Sequence, residues 1–208
     1  MKKRIYDLIQ RGEDATLDYK QSITSASKIA KSMAAFANDS GGTLLVGVKD
    51  NQKVCGVKGE EEAYMLDLAA RFFCKPEVEL QMKRHDVEGK EIIECVVKRG
   101  SHKPYFAKDD DGKWWAYVRV KDNTLLASKI VLDVLRRETS GQGTLINYTS
   151  KEKAILEYLA DNERITLNQY KHMINISTRR ATKIIVNLIS AGVLRSHTTE
   201  KTEYYTLV

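Results

Sequence analysis

One stretch of sixteen residues decides the fold of the first part of the chain: Ala35-Phe36-Ala37-Asn38-Asp39-Ser40-Gly41-Gly42-Thr43-Leu44-Leu45-Val46-Gly47-Val48-Lys49-Asp50. Apolar side chains at Ile29, Met33 and Phe36 recur at helical spacing, so the stretch begins inside a helix predicted over residues 25–38. Residues 43–48 form an apolar run of strand length and are predicted to be a buried strand. Glycines between the two permit a tight turn, so the helix is predicted to lead directly into a central strand.

The residues around this stretch alternate between helix and strand patterns. Before it, we predict a short helix at residues 5–9 and then a strand at 17–20 that sends Asp18 and Lys20 to one face. After it, the patterns predict a strand at 54–57, a helix at 60–74, strands at 78–86, 91–97 and 114–120, and a helix at 127–137. This order predicts an α+β domain with a mixed sheet.

The C-terminal part has a different order of elements. Ser150 is predicted to cap a first helix, and a second is predicted over residues 167–173. Ser177 or Thr178 is predicted to cap a third, which stops at Gly192. Two strands follow, at residues 193–197 and 203–207. Three helices and then a hairpin are typical of a winged helix-turn-helix.

A polar stretch that contains glycine, residues 138–144, separates the two parts. We therefore predict a first domain at residues 1–138, a linker at 139–149 and a winged helix-turn-helix domain at 150–208.

Composition and charge exclude several classes of protein. The 208 residues are 42% hydrophobic and 30% charged, with a net charge of +6, which is ordinary for a globular chain. No apolar run approaches the length of about 18 residues that a spanning helix needs. The basic residues near the N-terminus are not followed by an apolar segment, so we expect no signal peptide and a cytoplasmic protein. The three cysteines form no C-x-x-C pair and are expected in the core.

Basic residues concentrate in the predicted third helix of the C-terminal part. Residues 165–195 contain five of them and no acidic residue: Lys171, Arg179, Arg180, Lys183 and Arg195. Two of these arginines fall in the first turn of the helix, where the helix dipole disfavours positive charge. Phosphates at that end would reverse the sign of this cost, and recognition helices present their N-terminal residues to DNA. The pattern favours contact with nucleic acid, and the alternative is a solvated face.

Three motifs of the first part occur together in order. They are Glu13-x-x-x-x-Asp18-Tyr19-Lys20, the stretch at residues 35–50, and Tyr117-Val118-Arg119-Val120, which continues to Ser128. Together they resemble the Schlafen/AlbA-type DNA-binding domain of bacterial proteins, over roughly residues 7–138. A winged helix after such a domain is a familiar arrangement in bacterial members of this family, many of which are described as transcriptional regulators. The resemblance implies DNA as the main partner, with RNA as the alternative, and a homodimer.

Several polar residues of the first domain suit contact with a nucleic-acid backbone. Arg119, Lys121 and Lys103 supply positive charge beside aromatic residues. The turn formed by Asn38, Ser40, Gly41 and Gly42 is open to two interpretations, a helix C-cap or a turn that holds a phosphate. No G-x-x-x-x-G-K-[ST] motif is present, so ATP is not expected as a cofactor.

The resemblance also implies an alternative function. In Schlafen relatives that cleave RNA, three acidic residues form a metal-dependent nuclease site, and the matching residues here are Glu13, Asp18 and Asp50. Such a cluster would hold Mg²⁺ or Mn²⁺, with Lys20 steadying the scissile phosphate. The second acid of the family is Glu, whereas this chain has the shorter Asp18. We therefore favour a DNA-binding protein over a metal-dependent endoribonuclease.

Overall fold

The computed structural model describes residues 2–140 and 148–208. The chain divides into two compact units, Met1–Leu126 and Ala127–Val208. The predicted linker falls largely on residues 141–147, which lie outside the described residues. Among the described helices, none is both long and apolar enough to cross a membrane.

The first unit contains a four-stranded sheet with strand order β1-β2-β5-β4. Its strands are β1 (Leu17–Lys20), β2 (Gly42–Val46), β4 (Leu80–Val87) and β5 (Lys90–Val97). β1 runs parallel to β2, and the other two pairs are antiparallel. Between β2 and β4 lie helix α3 (Glu61–Phe72) and the two-residue strand β3 (Cys74–Lys75). The sheet is mixed, as the sequence predicts.

A second, antiparallel sheet has the strand order β3-β6-β7-β8. Its further strands are β6 (Phe106–Lys108), β7 (Trp114–Val120) and β8 (Asn123–Leu126). Helix α2 (Ala26–Asn38) packs against both sheets and is buried along almost its whole length. Ser25 caps this helix by accepting a hydrogen bond from the N–H of Lys28. Alanine and serine residues of α2, such as Ala30, Ser32 and Ala34, are buried and allow this close packing.

Helix α1 (Lys2–Arg11) contributes to a separate apolar cluster with the first sheet. Alternation along β1 sends Leu17 and Tyr19 into this cluster, which also contains Ile5 and Ile9 of α1. The hydroxyl of Tyr19 donates to the carbonyl oxygen of Leu8 at 2.8 Å. The same alternation turns Asp18 toward α2, where it is 5% exposed.

In its described residues, the second unit contains four helices followed by a hairpin of two strands. They are α4 (Lys129–Ser140), α5 (Ser150–Asp161), α6 (Leu167–Met173), α7 (Thr178–Ser190), β9 (Leu194–Thr198) and β10 (Glu203–Leu207). Its core collects Ile155 of α5, Tyr170 of α6 and Ile185 of α7, together with Leu194 and Tyr205 of the hairpin. Ile165 pairs with Tyr205 through two backbone hydrogen bonds and so adds a third, one-residue strand position beside β10.

Helix α4 belongs to the second unit, although the sequence pattern predicts a first domain that extends to residue 138. Its Ile130 is 3% exposed and lies in the same apolar cluster as the core of α7. The side chain of Arg137 also donates to Asn187 Oδ1 of α7 at 2.6 Å. These long-range contacts are what group α4 with the C-terminal elements.

Most predicted elements are confirmed, and the α+β class is confirmed with them. The strand predicted at residues 54–57 is wrong. Only Val54 forms a bridge, to Val48, because the N–H groups of Cys55 and Gly56 both donate to the single carbonyl oxygen of Gly47. The cap of α5 is Thr149 rather than Ser150: Thr149 and Glu152 form a reciprocal capping box. The strands β3, β6 and β8 were not predicted.

Candidate nucleic-acid interface

Helix α7 presents one apolar and one basic face. Its buried face includes Ala181, Ile184, Ile185 and Leu188, which explains why the helix is fixed on its own unit. Ser177 caps it by accepting from the N–H of Arg180 at 3.3 Å, as one of the two predicted caps. The helix therefore begins beside its arginines, and its first N–H groups lie near them.

The exposed face of α7 carries unpaired positive charge. Arg179, Arg180 and Lys183 are exposed, and no carboxylate in the described part of the chain forms an ion pair with any of them. Lys183 comes four residues after Arg179 and three after Arg180, so it neighbours both arginines on the surface of the helix. We call these three side chains the α7 basic face. The face is electrostatically unfavourable on its own, because it adds cations to the positive end of a helix.

Two further basic residues lie on neighbouring elements of the second unit. Lys171 is half-buried in the last turn of α6, where the negative end of the helix dipole favours it. Arg195 is exposed on β9. The basic residues of the stretch 165–195, which contains no acidic residue, are thus distributed over α6, α7 and β9.

Arg119 of β7, a predicted nucleic-acid contact, is turned into the first unit. It is 7% exposed and lies over the ring of Phe36, 4.8 Å from the ring centroid. Its two terminal nitrogens donate to Thr124 Oγ1 at 2.9 Å and to the carbonyl oxygen of Asp14 at 2.8 Å. This geometry gives Arg119 a role in joining β7, β8 and the segment before β1.

Lys103 and Lys121 are differently placed from each other. Lys103 is 7% exposed, and its Nζ lies 3.4 Å from the carbonyl oxygen of Asp39. Lys121 is exposed in the two-residue turn between β7 and β8, with a φ of 56°. Of the three basic residues predicted in the first domain, Lys121 alone is exposed to solvent.

Asn38 joins three segments of the first unit. Its Nδ2 donates to the carbonyl oxygens of Tyr105 and Tyr117 at 2.8 and 2.9 Å. Its Oδ1 accepts from the N–H of Tyr105 at 2.7 Å. At 2% exposure, the side chain is used internally rather than presented to a ligand.

The glycines after Asn38 are required by close packing. Gly41 has a φ of 82°, and a Cβ there would lie 2.8 Å from backbone atoms of Val97 and Arg99. A Cβ on Gly42 would overlap the ring of Phe36. Ser40 is exposed between these packed positions. The geometry supports the helix C-cap interpretation of this turn, since the N–H of Gly41 donates to the carbonyl oxygen of Phe36.

The structure brings two of the three predicted acidic residues together. Glu13 and Asp18 lie beside each other, and Glu13 Oε1 accepts from the N–H of Tyr19 at 2.7 Å. Burial raises the pKa of Glu13, and the adjacent Asp18 carboxylate raises it further, against the lowering effect of the Tyr19 N–H. Asp18 is held by Lys20 Nζ at 2.9 Å and by the hydroxyl of Ser32 at 3.2 Å.

Asp50 is exposed in the turn between Lys49 and Lys53. Over residues 2–140 and 148–208, no group of three or more His, Cys, Asp or Glu side chains could hold a metal ion. Glu13 and Asp18 are therefore a pair, and one oxygen of Asp18 is already bound by Lys20 and Ser32. This donor set does not fit the predicted three-carboxylate site for Mg²⁺ or Mn²⁺, and we derive no metal-dependent step from it.

One cluster in the second unit is not predicted from the sequence. Arg164 lies 5.3 Å from the ring centroid of Tyr204, and Tyr204 stacks on His197 with centroids 4.9 Å apart. Strand alternation at residues 193–197 and 203–207 would have placed His197 and Tyr204 outside the core. The predicted hairpin therefore contains both residues, but the sequence does not reveal the register that places Tyr204 opposite His197.

Two solved structures are similar to parts of the chain. The DIP2311 protein from Corynebacterium diphtheriae is 18% identical with a TM-score of 0.48, over 70% of this chain and 33% of that protein. The N-terminal domain of a RecG-related protein from Nitrosomonas europaea is 21% identical with a TM-score of 0.43, over 54% of this chain and 85% of that domain. The chain thus spans a third of the length of the DIP2311 protein. No curated protein matches it.

The family described as Schlafen, AlbA_2 matches residues 13–128. This match covers more than half of the 208 residues and contains all three motifs on which the resemblance rests. The domain is of a nucleic-acid-related class. The chain belongs to the Schlafen AlbA_2 family.

Proposed function

We propose that the chain is a DNA-binding transcriptional regulator whose second unit is a winged helix-turn-helix. In this proposal α7 is the recognition helix, α6 precedes it in the helix-turn-helix, and β9 and β10 form the wing. The observation that carries the proposal is the α7 basic face. Arg179, Arg180 and Lys183 are exposed without a carboxylate partner among the described residues, and phosphates would supply the missing counter-charge.

The position of the α7 basic face supports this function. Two cations in the first turn of a helix cost a few tenths to about 1 kcal/mol each. An anion bound at the same helix end gains from both the cations and the free N–H groups. Recognition helices contact DNA with their N-terminal residues. Both the positive charge of the α7 basic face and its position at the N-terminus of the helix therefore favour contact with DNA.

In this proposal the Schlafen AlbA_2 domain adds a contact through Lys121, and two copies of the chain bind together. A homodimer is proposed because recognition of two half-sites requires two recognition helices. Lys103 and Arg119 are assigned no direct contact, because both are buried. RNA is the alternative partner for the first domain.

The test is duplex DNA binding by the double variant Arg179→Ala/Arg180→Ala, followed by fluorescence anisotropy. We expect the affinity to fall about tenfold to a hundredfold at moderate salt, because two phosphate contacts are lost. The matched control is Arg136→Ala, an exposed arginine of α4 that is paired with Asp133. Equal affinity of the double variant and the wild-type protein would overturn the recognition-helix assignment.

A metal-dependent endoribonuclease is the second candidate function. One observation favours it: Glu13 and Asp18 lie together with Lys20 beside them. Incubating a structured RNA and an end-labelled duplex with the protein in Mg²⁺, Mn²⁺ or EDTA tests it. Intact strands in every sample are expected if the chain is a binding protein. Metal-dependent shortening that is lost in both Asp18→Asn and Asp50→Ala would establish the enzyme instead.

A further inference from the structure

The hairpin of the second unit carries an ordered row of planar side chains. Tyr204 of β10 lies directly opposite His197 of β9 in the antiparallel register. Their rings are nearly parallel, at 10°, with centroids 4.9 Å apart. The guanidinium carbon of Arg164 lies 5.3 Å from the centroid of Tyr204. We call Arg164, Tyr204 and His197 the hairpin row.

The strand order sets the direction of the hairpin row. Ile165 pairs with Tyr205, so β10 lies between the segment that carries Arg164 and strand β9. The row therefore crosses the sheet from Arg164 through Tyr204 to His197. Within the described residues, β9 pairs with β10 alone. The hairpin row thus ends at the free edge of the sheet.

The ring of His197 is held in place from one side. Tyr204 stacks on it, and the Nε2 atom of His197 lies 3.0 Å from the hydroxyl oxygen of Thr206. The structure gives no other aromatic or cation–π contact to His197 in the described part of the chain. A flat group at the edge of β9 could therefore stack on His197 without displacing Tyr204.

The charges on this face suit an anionic partner. Strand alternation puts Arg195 on the same face of β9 as His197, and Arg195 is exposed. Glu203, the carboxylate within the two strands of the hairpin, lies on the opposite face, where it accepts from the hydroxyl of Ser196 at 3.1 Å. The face thus offers an aromatic ring between two arginines, Arg164 and Arg195.

We propose that the hairpin row binds single-stranded nucleic acid: an unpaired nucleobase stacks on His197 and Arg195 contacts a flanking phosphate, while Arg164, at the far end of the row, contacts a phosphate further along the strand. This inference rests on the proposed nucleic-acid function but assigns a second site with a different substrate form. The α7 basic face takes duplex DNA, and the hairpin row takes an unpaired strand, because only an unpaired base offers a free ring face.

The experiment compares variants of the full chain on two ligands. One ligand is a short oligodeoxythymidine with a single 2-aminopurine, whose fluorescence reports stacking, and the other is a duplex. The variants are His197→Ala, which removes the ring, His197→Phe, which keeps a ring, and Thr198→Ala as the matched control on the opposite face of β9. Thermal unfolding of each variant is measured alongside.

We expect His197→Ala to weaken single-strand binding about fivefold to a hundredfold, since stacking on an aromatic side chain contributes about 1–3 kcal/mol per base. His197→Phe and Thr198→Ala should retain binding and the 2-aminopurine quench, and all three variants should bind the duplex as the wild type does. Equal single-strand binding by His197→Ala and wild type would overturn the inference, as would an equal loss of both ligands by a His197→Ala protein whose thermal unfolding matches that of the wild type. Single-strand binding without duplex binding would instead contradict the assignment of α7 and leave the hairpin row standing.

Discussion

Asn38 and Tyr105 are joined by a reciprocal pair of hydrogen bonds between one side chain and one backbone. Asn38 Nδ2 donates to the carbonyl oxygen of Tyr105 at 2.8 Å, and the N–H of Tyr105 donates to Asn38 Oδ1 at 2.7 Å. The amide thus imitates a strand partner for a segment that lies 67 residues away in sequence. This contact ties the end of α2 to the start of the second sheet.

Asn38→Ala is therefore expected to destabilise the first unit by about 2–4 kcal/mol, because it leaves buried backbone groups of Tyr105 and Tyr117 without partners. Both tryptophans, Trp114 and Trp115, lie in the first unit. Urea unfolding followed by tryptophan fluorescence thus reports this unit. Ser40→Ala, two residues on and exposed, is the control and should shift the midpoint little. Equal midpoints for Asn38→Ala and Ser40→Ala would refute the structural role of Asn38.

The pair of Glu13 and Asp18 predicts a pH-dependent stability. Folding raises the pKa of Glu13 above its ordinary value of 4.5, so the folded unit binds a proton more readily than the unfolded chain. Ionisation of Glu13 therefore lowers the free energy of unfolding. The decrease becomes complete as the pH rises above the pKa of Glu13 in the folded protein. Glu13→Gln keeps an oxygen for the N–H of Tyr19 and removes the charge.

We expect Glu13→Gln to unfold at a higher urea concentration than the wild type at pH 7. The difference should disappear well below pH 4.5, where Glu13 is protonated in both states. The exposed turn residue Glu88 provides the control variant, Glu88→Gln, which should show no such pH-dependent gain. A Glu13→Gln protein that is less stable than the wild type at pH 7 would show that the charge of Glu13 is favourable.

The three cysteines are expected to differ in reactivity. Burial raises the pKa of Cys74 and Cys95 to about 12, so neither thiol is ionised near neutral pH. Cys55 is only half-buried. A thiol reagent at pH 8 should therefore label Cys55 first, and Cys55→Ser should remove the fast phase. Rapid labelling of more than one thiol in the folded protein would contradict the burial of Cys74 and Cys95.

Local pattern predicted the long elements of the fold well. The apolar stripe of α2, the strand β7 and the turn at Glu88 and Gly89 follow from spacing and turn chemistry, and the structure confirms them. β3 and β6 have two and three residues, too few for alternation to be recognised. β8 has four, but its sequence, two polar residues followed by two leucines, does not alternate. The second sheet was therefore missed as a separate sheet.

The sequence predicted correctly those residues of the candidate site that lie on the exposed side of an amphipathic helix. Arg179, Arg180 and Lys183 are exposed because the apolar residues of α7 define its buried side. Arg119 shows the limit of such reasoning. Its partner, the carbonyl oxygen of Asp14, is 105 residues away, and no local pattern indicates that contact. The same limit applies to the three predicted carboxylates. Glu13 and Asp18 lie side by side, whereas Asp50 is exposed in a separate turn, and only the assembled sheet determines which turns lie close together.

The central claim is that the α7 basic face binds DNA phosphates, and the most direct test is the salt dependence of duplex binding. The logarithm of the affinity should fall linearly with the logarithm of the salt concentration, with a slope of about 0.9 for each phosphate neutralised. Arg179→Ala/Arg180→Ala removes two such contacts, so its slope should be shallower by about 1.8, while Arg136→Ala should keep the wild-type slope. Identical slopes for the double variant and the wild-type protein would contradict the claim.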